Sequence, residues 1–94
     1  MFEISDHVWT TSAVRAIIIT NRNKMDAQWQ QNFEQLGHLD QTVVSAQRRD
    51  VALRTHDFIG KHGDKDDSEI IDTHDVTALL SAYAQFWTLW ESKM

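Results

Sequence analysis

Hydrophobic residues recur at three- and four-residue steps in three separate stretches of the chain. In the first, residues 12–36, Val14, Ile18, Met25, Trp29, Phe33 and Leu36 fall on one face of a helix, and Arg22 is the single polar break in that stripe. Thr11 or Ser12 suits the N-cap, and Gly37 suits a left-handed stop. The β-branched residues between 14 and 20 leave a second option, a short strand pairing with residues 2–8.

The second stretch, residues 41–59, carries fewer apolar positions (Val43, Val44, Val51, Phe58, Ile59), with Arg48, Arg49 and Arg54 between them. Asp40 is placed to cap it, and Leu39 and Val44 stand where a hydrophobic staple would clamp its start. The third stretch, residues 73–92, has the strongest pattern. Asp72 caps it, Asp75 can reach back from the third helical position, and Ile71 with Val76 repeats the staple spacing. Val76, Leu79, Tyr83, Phe86 and Trp90 step by three and four, a coiled-coil seam that Leu80 and Trp87 widen. Lys93 sits where the helix dipole favours positive charge. Short connections make neighbouring helices antiparallel. The expectation is an all-α fold: one small antiparallel three-helix bundle over residues 1–94, complete in itself or half of a dimeric bundle.

Composition narrows the function. The 94 residues include no cysteine, which excludes disulfides and thiolate metal sites and makes a cytoplasmic location the expectation. The first residues lack a basic region followed by an apolar run. The longest unbroken apolar run, residues 16–19, falls far short of the roughly 20 residues of a membrane span, so no membrane association is expected. A formal charge of −5 opposes direct nucleic-acid binding and suits docking on basic protein surfaces. Four tryptophans are more than a small core easily hides. Tyr83, Phe86, Trp87 and Trp90 are therefore candidate partner-binding residues, with a twofold homodimer as the first expectation.

The connector at 60–72 holds the most specific local signal. From Asp64 to Asp75 it resembles the twelve-residue calcium loop of the EF-hand: Asp64, Asp66, Ser68, Asp72 and Asp75 offer oxygens at positions one, three, five, nine and twelve. Ile70 would give its backbone carbonyl at position seven. That resemblance implies a calcium or magnesium site. The pattern departs from it where Glu69 replaces the turn glycine, where Asp75 replaces the bidentate glutamate, and where Gly60 and Gly63 fall in the entering helix. The competing reading needs no cofactor. There the loop faces solvent or a protein partner, and Asp64, Asp66, Asp67, Glu69, Asp72 and Asp75 imitate a run of phosphates against a basic surface.

Catalysis is not expected. The five histidines are never three or four residues apart, no nucleophile elbow or phosphate loop occurs, and the carboxylates crowd one loop. Arg48, Arg49 and Arg54 read as a solvated face pairing with Asp50 or Asp57, with phosphate recognition as the alternative. The function expected is thus a non-catalytic protein-interaction module, a small acidic adaptor or inhibitor. An EF-hand-like ion binder is the alternative.

Overall fold

The computed structural model describes residues 8–94. It is an all-α three-helix bundle: α1 spans Thr11–Asn32, a short 3-10 turn covers Phe33–Gln35, α2 spans His38–His62 and α3 spans Thr73–Lys93. Ion pairs fix the directions. His62 at the end of α2 meets Asp75 at the start of α3, and Asp40 at the start of α2 meets Lys93 at the end of α3, so these two helices are antiparallel. α1 runs parallel to α3, because Thr10 bridges Ile70 at one end while Trp29 stacks on Trp90 at the other. Residues 14–20 are helical, so no strand forms there. Residues 2–7 of the alternative strand pairing lie outside the described residues.

The helix ends correct several expectations. The N-cap of α1 is Thr10 rather than Thr11 or Ser12, and its hydroxyl accepts the Ala13 N–H at 3.2 Å. The first helix stops at Asn32 rather than Leu36, and the chain turns through the 3-10 segment. Gly37 is not a left-handed stop: its φ is −64°, and it serves as the N-cap of α2. Asp40 consequently lies inside the first turn of α2 rather than at its cap, and Leu39 is 80% exposed, which removes the staple. α2 also runs three residues past the predicted Ile59, through Gly60 to His62. Gly63 closes it tightly, since a Cβ there would lie 2.5 Å from the Ile59 carbonyl oxygen. At α3 the prediction holds: Asp72 accepts the His74 N–H at 2.9 Å, and Ile71 and Val76 are both buried in the core.

All five seam residues of α3 are buried, and Val14, Ile18 and Met25 of α1 face them along with Val44 and Val51 of α2. Aromatic rings close the far end, where Trp29 stacks on Phe33 at 4.3 Å and on Trp90 at 5.5 Å between centroids. Polar tips along the core are paired. Thr55 and Tyr83 share a hydrogen bond of 2.9 Å, and the Trp87 indole N–H donates to the Asn21 side chain at 2.9 Å.

Two expected outcomes follow from caps and core. Phe86→Ala should cost about 3–5 kcal/mol in urea unfolding, as truncation of a fully buried aromatic does. Thr10→Ala and Asp72→Ala should each cost about 1 kcal/mol, the usual value of an N-cap side chain.

Candidate functional site

The first turn of any α-helix leaves amide N–H groups without intrahelical acceptors. In α1 the connector after α2 supplies them. Thr11 N–H donates to the Glu69 carbonyl at 2.8 Å, Ser12 N–H donates to the Asp67 carbonyl at 3.0 Å, and the Thr11 hydroxyl adds a second bond to Glu69 at 3.0 Å. Ile71 N–H returns a bond to the Trp9 carbonyl at 2.8 Å. Arg15, one turn into α1, reaches across the connector. Its guanidinium pairs with the Asp67 carboxylate and donates to the carbonyls of Gly63 and Lys65 at 3.1 and 2.9 Å. The acidic connector is therefore fastened along its length, with its backbone groups turned inward and its carboxylates outward.

Asp64, Asp66, Asp67, Ser68 and Glu69 are all exposed. Glu69 accepts the Asp66 N–H through its side chain at 3.2 Å, while its own N–H donates to the Asp66 carbonyl at 3.0 Å. The calcium arrangement does not assemble from these parts. Among the described residues no three Asp, Glu or His side chains gather as a metal would require. Asp72 is spent on the His74 amide and Asp75 on two cations. No described residue has a positive φ, so Glu69 does not make the sharp turn that glycine makes in a calcium loop.

Asp75 does not reach back to its own helix. Its Oδ2 lies 2.9 Å from both Lys61 Nζ and His62 Nε2. These hydrogen bonds, Lys61 first and His62 second, hold the Asp75 carboxyl below its ordinary value of 3.8. His62 is buried against Phe58, and its Nδ1 has no hydrogen-bond partner.

The aromatic seam proposed as a binding surface is core. Tyr83, Phe86 and Trp90 are at most 5% exposed, so a partner cannot reach them. Trp87 is half-buried, bonded to Asn21 and covered by the Lys24 ammonium 4.3 Å from its ring centroid. Of the four residues named for a partner on α3, Trp87 alone keeps partial exposure. Burial pushes the Tyr83 phenol above its ordinary value of 10.0, against the opposing effects of the Thr55 hydrogen bond and the Arg22 charge.

Sequence reasoning missed a cleft between α1 and α2. It has two adjoining chambers of about 410 and 220 Å³, and Ile18, Arg22 and Ile59 line both. Of the Arg48, Arg49 and Arg54 patch, Arg48 pairs with Asp26 across the cleft at 2.6 Å and lies over Trp29, and Arg54 pairs with Asp50 as the solvated reading predicted. The signal that was available is Arg22, the one polar residue in the apolar stripe of α1.

Two measurements probe this geometry. Arg15→Ala should cost about 1–2 kcal/mol by losing charge-assisted bonds at a partly exposed position, and it should speed hydrogen exchange at the Ser12 and Ile71 amides. A carboxyl whose folded pKa is depressed stabilises the fold above its unfolded pKa and loses that contribution as pH falls through the folded value. Urea titrations at neutral and acid pH should therefore show a smaller acid-side loss of stability for Asp75→Asn than for the parent chain. No protein-family model, no curated protein and no solved structure matches this chain, so the roles of these residues rest on their geometry.

Proposed function

We propose that the chain is a non-catalytic protein-interaction module, a small acidic adaptor or inhibitor that docks its 63–72 connector on a basic surface of another protein. The observation that carries this reading is the fastening of the connector to α1. Thr11, Ser12 and Arg15 hold its backbone while Asp64, Asp66 and Glu69 remain exposed and free of ion pairs among the described residues. A loop already ordered in the free protein loses little conformational entropy when it binds, so more of each electrostatic contact survives as affinity. Fixed carboxylates on a chain of charge −5 also steer a cationic partner during approach.

The test is affinity capture from the source cells by the parent chain and by Asp64→Asn/Asp66→Asn. Both positions are solvent-facing, so the double variant should shift folding stability by less than about 0.5 kcal/mol. A basic protein should be retained by the parent, released as salt rises, and lost with the two asparagines. Equal retention by both chains, or retention indifferent to salt, overturns the reading.

A further inference from the structure

We propose that the cleft between α1 and α2 binds a single-chain amphipathic carboxylate, its apolar tail in the smaller chamber and its carboxylate on Arg22. The inference stands apart from the acidic connector. It starts from Arg22, which occupies a position in the apolar stripe of α1 where a hydrophobic side chain would draw that helix onto α2. Arg22 stands there instead, and it lines both chambers of the cleft. Arg22 makes no hydrogen bond or ion pair among the described residues, whereas Arg15 and Arg48 are both engaged. Its guanidinium therefore has its full set of planar donors for a carboxylate, the group that geometry matches best.

The two chambers differ in chemistry, and Arg22 lies on their shared wall. The smaller is walled by Val14, Ile18, Phe58, Ile59 and Ile71, with Ile19 at its mouth. Ile19 and Ile59 remain 56% and 43% exposed, an apolar rim that a tail would cover. The larger chamber is lined by Arg22, Arg48, His56, Thr55 and the Tyr83 phenol, while the polar residues Thr11 and Arg15 at the smaller one are bonded to the connector. Its one carboxylate, Asp26, is bound to Arg48 and offers little repulsion to an incoming anion. In a chain of charge −5 the cleft thus gathers cations next to an apolar slot. An apolar body with one charged end fits that arrangement, and the cation selects the sign of the charge. The larger chamber, about 410 Å³, falls in the range of small-molecule pockets, and the smaller one extends it.

Decanoate below its micellar concentration is a direct probe, with decanol as the neutral control and a leucine- and glutamate-rich helical peptide as the macromolecular control. Calorimetry and amide NMR should show saturable decanoate binding, at least about tenfold tighter than decanol, with shifts centred on residues 14–25 of α1 and 51–62 of α2. Arg22→Gln, at an exposed side chain without bonds, should keep the parent's melting temperature and lose the preference for decanoate over decanol. Ile59→Glu should abolish binding of both. Absence of saturable binding, equal affinity for decanol, or a preference that survives Arg22→Gln overturns the proposal. It is equally overturned if the peptide binds and decanoate does not displace it, which would make the cleft a groove for a protein helix. Loss of partner capture by the Asp64 and Asp66 variant leaves these outcomes unchanged, so the two readings fail separately.

Discussion

The first turn of α1 governs much of this molecule. Its amides require acceptors, and the connector between α2 and α3 provides them through the carbonyls of Asp67 and Glu69. This one exchange places the starts of α1 and α3 at the same end of the bundle. It also explains how a strongly acidic segment that follows Gly63 is fastened to the bundle. The polarity is favourable as well, because carboxylates crowd the positive end of a helix dipole.

The other end of α1 is held differently, by aromatic stacking of Trp29 on Phe33 and Trp90. Anchored at both ends to α3 and its connector, α1 is not drawn against α2 along its middle, and the cleft runs there. Hydrophobic burial would normally close such a gap in so small a domain. Arg22 in the stripe removes the incentive, since its charge is costly to desolvate without a partner. The ordered acidic connector depends on the first of these anchors, and the cleft lies between the two.

The tryptophans show how a small bundle accommodates large amphipathic rings. Trp90 packs its face in the core and points its indole N–H toward the Gln28 side chain, 3.4 Å away. Trp87 uses Asn21 in the same way and takes the Lys24 ammonium over its exposed face. Trp29 is covered by the Arg48 guanidinium at 4.5 Å. Amide side chains on α1 satisfy the donors, and long cationic stems shield the rings. Among the described residues no helix is long and apolar enough to cross a membrane.

Helical periodicity determined what local physics alone can determine. The α3 seam, its Asp72 cap and the Ile71–Val76 clamp were legible because side-chain spacing, cap chemistry and burial all act within one helix. The α1 stripe was legible for the same reason, including the polar break at Arg22. The three-helix architecture follows from those stripes and their short connections. Composition alone left open whether the aromatics pack inward or face a partner, because counting rings does not reveal which amides and cations lie beside them. The helix ends around Gly37, the clamp of Arg15 on the connector and the diversion of Asp75 to Lys61 and His62 depend on residues far apart in sequence. Only the tertiary structure decided them, because a carboxylate or a backbone amide takes the partner that folding brings within reach, and the same Asp75 spells a cap, a metal ligand or an ion pair until that partner is fixed.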